Sequence, residues 1–171
     1  MLSYLRPNMY VESLDRISPV QLQELGIKGL IIDLDNTVTP WNDMEVGPKV
    51  TRWFKGLQQY GIRCCVASNN SEKRVAGVAN ALGIPFVFKA NKPRRRAFYK
   101  ALKVVGTGIK DTAVVGDQLF TDVLGGNRLG MFTILVLPIS KREWIGTRFM
   151  RCLERVIFWA LDLAGGAKVR R

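Results

Sequence analysis

Gly29-Leu30-Ile31-Ile32-Asp33-Leu34-Asp35-Asn36-Thr37 is the stretch that decides the fold. An unbroken apolar run ends in two carboxylates one residue apart, followed by a short polar turn. A strand that is apolar at every position is buried on both faces, as in a parallel sheet covered by helices. Strand side chains alternate, so Asp33 and Asp35 start on the same side. Acids at the carboxyl end of such a strand stand where open α/β sheets bind ligands. An ordinary Asx turn would also fit, and it needs only one Asp or Asn. This stretch alone leaves both readings open.

The chain on either side repeats the pattern. Ser18-Pro19-Val20-Gln21 reads as a capping box that opens a short helix ending at Gly26. Residues 1–17 show no periodicity and read as an N-terminal arm. A helix is expected over about 49–60, with Val50, Trp53, Phe54 and Leu57 on one face. A strand follows over 62–67 and ends in Ser68-Asn69-Asn70. Ser71 reads as the cap of a helix over 72–82. A short strand at 84–88 precedes Lys89-Ala90-Asn91-Lys92-Pro93, and a helix spans 94–104. A strand at 112–115 ends in Gly116-Asp117. A short helix around 120–128 is broken at Gly125-Gly126, and a last strand covers 131–136. Alternating strands and helices with unalternating apolar strands predict a parallel sheet with helices on both faces. Right-handed crossovers bring every strand's carboxyl end to one edge. Asp33, Asp35, Ser68, Lys92 and Asp117 each follow a predicted strand, so they can converge.

Composition narrows the chemistry. The 171 residues fit one domain and are 47% hydrophobic. Mean hydropathy is near zero and no apolar stretch is long enough to span a bilayer. The N-terminus lacks a signal peptide's apolar region, so a cytoplasmic location is expected. Histidine is absent, which excludes His-based catalysis and His-ligated zinc. Cys64, Cys65 and Cys152 lack metal-ligand spacing and read as buried thiols in a reducing compartment; in a strand, Cys64 and Cys65 face opposite ways. The net charge is +12, and from Lys73 to Lys110 every charged residue is Lys or Arg. That bias favours anionic partners: phosphorylated substrates, nucleic acid or an acidic membrane.

Asp33-x-Asp35-x-Thr37, Ser68, Lys92-Pro93 and Gly116-Asp117-x-x-x-Thr121-Asp122 together resemble the four motifs of haloacid-dehalogenase-like (HAD) phosphatases. The fuller match, through Asp-Leu-Asp-Asn-Thr, Ser-Asn-Asn, Lys-Pro and Gly-Asp-Gln-Leu-x-Thr-Asp-Val-Leu-Gly-Gly-Asn, is similar to the bacterial YqeG family. That family is of the IIIA subclass and related to phosphatidylglycerophosphate phosphatases. The resemblance covers about residues 28–137 and implies a Rossmann-like three-layer fold. It also implies roles. Asp33 attacks phosphorus, and Asp35 protonates the leaving group and then activates water; these tasks need different protonation states. Mg²⁺ is held by Asp33, the backbone carbonyl of Asp35, and Asp117. Asp122 supports the site through water or by holding Lys92. Ser68 and Lys92 bind the phosphoryl group, with Asn69 assisting Ser68. Asn36 and Thr37 are counted with them on the substrate side, chiefly as shapers of the turn. Gly125, Gly126 and Asn127 are read as shaping another turn nearby. Each residue alone has an ordinary explanation as a cap, a surface lysine or a helix-approach serine. Together those explanations require a coincidence at each of four strand ends.

Only residues 38–67 separate Thr37 from Ser68, and only 69–91 separate Ser68 from Lys92. One helix and one strand fill each gap, so no cap domain and an open site are expected. Lys141 to Leu163 reads as an amphipathic basic helix, docked on the core or lying at a membrane surface. The expected organisation is an arm and short helix over 1–27, a phosphatase core over 28–138, and a C-terminal helix and tail over 139–171. The expected partner is a phosphate ester, with lipid-borne phosphatidylglycerophosphate as the specific candidate and peripheral contact with the inner face of the membrane. Nucleotides or other small phosphate esters are the alternative substrates, a phosphotransferase is another, and an RNA-binding module built on residues 89–103 is the weaker one.

Overall fold

The computed structural model describes residues 2–140. The helix expected over 141–163, the basic tail and Cys152 lie outside the described residues. Six strands form one parallel sheet: β1 (Met9–Val11), β2 (Gly29–Ile32), β3 (Arg63–Ala67), β4 (Phe86–Val87), β5 (Thr112–Gly116) and β6 (Phe132–Val136). Their spatial order is β1-β6-β5-β2-β3-β4, so β2 lies inside the sheet between β5 and β3.

The apolar runs explain both covered faces. Leu30, Ile32, Cys64, Val66, Ala113, Val115 and Ile134 face one side. They pack on α1 (Pro19–Glu24), α2 (Pro48–Gln59) and α3 (Glu72–Leu82) through Leu22, Trp53, Phe54, Leu57, Val75 and Val78. Ile31, Cys65, Ala67 and Val114 face the other side, against Ala97, Phe98, Ala101 and Leu102 of α4 (Arg95–Val105). Cys64 and Cys65 thus point to opposite faces. Both are free and buried, and burial pushes each thiol up to about 12. Each fully buried Leu, Ile or Phe in these layers contributes about 1.5–3 kcal/mol of transfer free energy.

Three local expectations change. Residues 9–11, read as an irregular arm, form the edge strand β1, with Met9 opposite Ile134 and Val11 opposite Val136. The strand is three residues long and half-buried throughout, so neither alternation nor a continuous apolar run marks it. The break around 120–128 is not at its glycines. A wide π-helical turn (Leu119–Val123) runs into α5 (Leu124–Asn127), which contains Gly125 and Gly126. A Cβ on Gly125 would stand 2.3 Å from the Phe98 ring, and one on Gly126 would stand 2.6 Å from Thr133 Cγ2. These glycines let α5 pack tightly, and they do not shape a turn at the site. Asn127 donates from Nδ2 to the carbonyls of Tyr4 (2.8 Å) and Arg6 (2.9 Å), tying the N-terminal arm to the core. Ser71 stands at the N-cap of α3 without a side-chain cap bond; its own N–H donates to Asn70 Oδ1 at 2.7 Å.

Candidate active site

Sheet register sets the site. Ile32 lies opposite Val66 on one side and Val115 on the other. One or two residues later the chain reaches Asp33, Ser68 and Asp117, all at the same edge. Asp33 extends the ladder by donating its N–H to Val115 O at 2.8 Å. The chain then turns sharply, with the N–H groups of Val38 and Thr39 donating back to Leu34 O. Asn36 adopts a left-handed conformation (φ 61°), which Asn tolerates better than most residues. Its Oδ1 accepts from Trp41 N–H at 3.1 Å.

Lys92 is the centre of the charge arrangement. Its Nζ donates to Asp33 Oδ1 and Asp122 Oδ1, each at 2.6 Å, and its side chain is 3% exposed. The Asn69 side chain fixes its backbone: Oδ1 accepts from Lys92 N–H at 2.7 Å and Nδ2 donates to Lys92 O at 3.1 Å. Asn69 therefore serves Lys92, where the sequence suggested help to Ser68. The Lys92–Pro93 peptide is cis. Ser68 is buried, and its Oγ accepts from Asn70 N–H at 3.1 Å.

Carboxylate oxygens of Asp33, Asp117 and Asp122 lie within 4.8 Å of one another. Asp122 packs directly on the end of β5, where a Cβ on Gly116 would fall 2.3 Å from its carboxyl carbon. Its Oδ2 accepts from Thr121 Oγ1 (3.1 Å) and Gln118 N–H (3.4 Å), which leaves Oδ1 to Lys92. Asp117 accepts from Thr37 Oγ1 at 3.4 Å. Thr37 is buried, and this bond ties the turn after β2 to the acid that follows β5.

Burial is the largest influence on Asp33 and raises its carboxyl to about 7, opposed by Lys92 and reinforced by Asp122. Burial alone would lower the Lys92 ammonium, but Asp122 and Asp33 outweigh it and raise it. Three carboxylates facing one lysine leave an excess of negative charge in a buried place. A hard divalent cation with oxygen ligands fits that excess, and the carboxylate oxygens of Asp33, Asp117 and Asp122 are close enough together to share one.

Asp35 stands apart from this cluster. Its Oδ1 accepts from Arg74 Nη2 (2.9 Å) and Nε (3.2 Å), and its Oδ2 from Asn70 Nδ2 (3.2 Å). Sequence reading missed Arg74. The available signal was its place four residues before Val78, on the inward face of α3, where a solvated base does not belong. A pocket of about 480 Å³ opens over the site, lined by Asp33, Asp35, Asn36, Ser68, Asn69 and Lys92, with Trp41, Asn70, Gln118 and Thr121 at its walls.

This arrangement offers a carboxylate nucleophile, a second acid near it, a buried cation and a cluster suited to a metal. Residues 89–142 match the family described as HAD-hydrolase-like. The chain is 43% identical over 159 residues to the Bacillus subtilis (strain 168) protein named "Probable phosphatase YqeG", covering 93% of this chain and 92% of that protein. It is 29% identical to phosphatidylglycerophosphate phosphatase 1, chloroplastic, of Chlamydomonas reinhardtii, over 90% of this chain and 60% of that protein. A HAD phosphatase structure from Thermococcus onnurineus shares the fold at a TM-score of 0.50 and 18% identity, over 59% of this chain and 51% of that one.

Proposed function

The chain belongs to the YqeG family of HAD-like phosphatases, and from that premise we propose that it hydrolyses phosphate monoesters through an aspartyl phosphate on Asp33, with Mg²⁺, at a lipid surface. The observation that carries the reaction is Lys92 Nζ bridging Asp33 and Asp122 at 2.6 Å, beside Asp117. A carboxylate paired with a buried cation at a strand end is a nucleophile held in place.

In the first step an Asp33 oxygen forms a bond to phosphorus and the bond to the leaving oxygen breaks. Asp35 gives that oxygen its proton. In the second step water attacks the same phosphorus and Asp35 takes the water's proton. The phosphorus–Asp33 bond breaks and inorganic phosphate leaves. Ser68 Oγ and the N–H groups beside it bind phosphoryl oxygens, and Lys92 neutralises charge on the transferring group. Asp33, Asp117 and the Asp35 carbonyl would hold Mg²⁺, which supplies charge compensation to the phosphoryl oxygens when bound. Asp122 fixes Lys92.

The surroundings of the pocket support a lipid-borne substrate, with phosphatidylglycerophosphate as the specific candidate. Trp41 and Met44 are exposed on the loop after β2, Phe88 after β4, and Leu137 and Ile139 after β6. Ile139 N–H donates to Asn36 O and Lys89 N–H to Asn70 O, so these segments border the site. Lys89, Arg94, Arg95 and Arg96 are exposed beside them. Apolar side chains with a basic fringe suit an anionic bilayer, where each Lys or Arg gains about 1 kcal/mol. Among the described residues no helix is long and apolar enough to cross a membrane.

A phosphate-release screen with Mg²⁺ tests the substrate. It should compare vesicle-borne phosphatidylglycerophosphate with nucleotides and sugar phosphates, using D33N protein as background. The vesicle lipid should be the best substrate. Release confined to soluble esters would remove the lipid reading.

A further inference from the structure

We infer that Arg74 is a positioning residue for the proton transfer: it locks one oxygen of Asp35 and leaves the other to serve the leaving group. The inference rests on the acid–base role of Asp35 proposed above. Arg74 is 7% exposed, which is rare for an arginine and demands full pairing. Its guanidinium meets that demand in two directions. Nε and Nη2 both donate to Asp35 Oδ1, at 3.2 and 2.9 Å. Nη2 also donates to Thr39 Oγ1 (2.9 Å) and Pro40 O (3.2 Å), and Nη1 donates to Asp43 O. The planar fork therefore fixes the carboxylate and the loop that follows it as one rigid piece.

The two oxygens of Asp35 are unequal as a result. Oδ1 carries two bonds from a cation. Oδ2 has one bond from a neutral amide, Asn70 Nδ2 at 3.2 Å, and Asp35 lines the pocket. Oδ2 is thus the oxygen free to hold a proton and pass it across. An acid that must act on a leaving oxygen gains from having its orientation set before substrate arrives.

The test is leaving-group dependence. Compare R74M with wild-type protein in kcat/KM for 2,4-dinitrophenyl phosphate, whose leaving group needs no proton, and for phenyl and alkyl phosphates, whose leaving groups do. D35N is the reference. General acid catalysis contributes about 10²–10⁴-fold, so R74M should lose roughly 10–100-fold on phenyl and alkyl phosphates and less than about 3-fold on the dinitrophenyl ester. In the D35N background R74M should add little further loss, because the two act as a unit. R74K, which keeps a cation and loses the fork, should fall between wild type and R74M on phenyl phosphate. An arginine that only anchored the loop would slow all esters equally and add fully to D35N; either outcome overturns the inference. Full activity of R74M on phenyl phosphate overturns it as well. Activity on the dinitrophenyl ester reports that the variant is folded, and R74K carries the same comparison if R74M does not fold. If D35N itself shows no leaving-group selectivity, the failure lies with the role of Asp35, not with Arg74.

Discussion

Removing the Lys92 charge is the perturbation whose consequences the structure specifies most fully. In K92M the two 2.6 Å bonds to Asp33 and Asp122 vanish, and a methionine of similar length fills the space. Asp33, Asp117 and Asp122 then face one another within 4.8 Å with no cation between them. The lysine side chain is 3% exposed and its partners 11% and 1%, so solvent screens the loss little. Breaking a buried pair by removing one partner costs about 3–5 kcal/mol. For a domain of this size that lowers the melting temperature by roughly 6–20 °C. The sign with pH follows from the shifts. Lys92 is raised in the folded state, so its contribution is fully present below the ordinary lysine value. Asp33 is raised to about 7, so folding itself favours its protonated form and this group's ionisation reduces stability between about 4 and 7. K92M removes the attraction that opposes that rise. Its deficit should therefore be largest at pH 8 and shrink toward pH 5, where the Asp33 carboxyl takes up its proton. Differential scanning calorimetry in EDTA measures both. Equal melting temperatures at pH 8, or a deficit that grows toward pH 5, would refute the reasoning.

Mg²⁺ binding needs the Asp33 carboxylate ionised, so affinity measured by calorimetric titration should be flat above pH 7 and weaken about tenfold per unit below it. Because a Cβ on Gly125 would meet the Phe98 ring at 2.3 Å, G125A should lose about 1–3 kcal/mol in urea unfolding. Burial holds the thiols of Cys64 and Cys65 up to about 12, so in a C152S protein a thiol reagent should react slowly when native and fully when denatured; fast native labelling would contradict their burial.

What could be read from the sequence depended on whether burial leaves a pattern. β2, β3, β5 and β6 lie inside the sheet, covered on both faces, and unbroken runs such as Leu30-Ile31-Ile32 reveal them. β1 is at the edge and half-buried, so Met9-Tyr10-Val11 carries no such mark. The convergence of Asp33, Ser68, Lys92 and Asp117 follows from topology, since a parallel sheet puts all its strand ends together. Partners that depend on side-chain reach were hidden. Arg74 looks like one base in a basic region until its guanidinium is seen on Asp35. Asn69 was read with Ser68, its neighbour in sequence, although its amide meets Lys92. Gly125 and Gly126 were read as a turn because close packing against Phe98 and Thr133 leaves the same residue type as a bend.

The central claim is that Asp33 becomes phosphorylated. The direct measurement is an acid quench of the protein during turnover of a ³²P-labelled ester with Mg²⁺, followed by peptide mapping. The account predicts hydroxylamine-labile label on the peptide that contains Asp33, and none in D33N. Turnover without a covalent label, or label that survives in D33N, would contradict it.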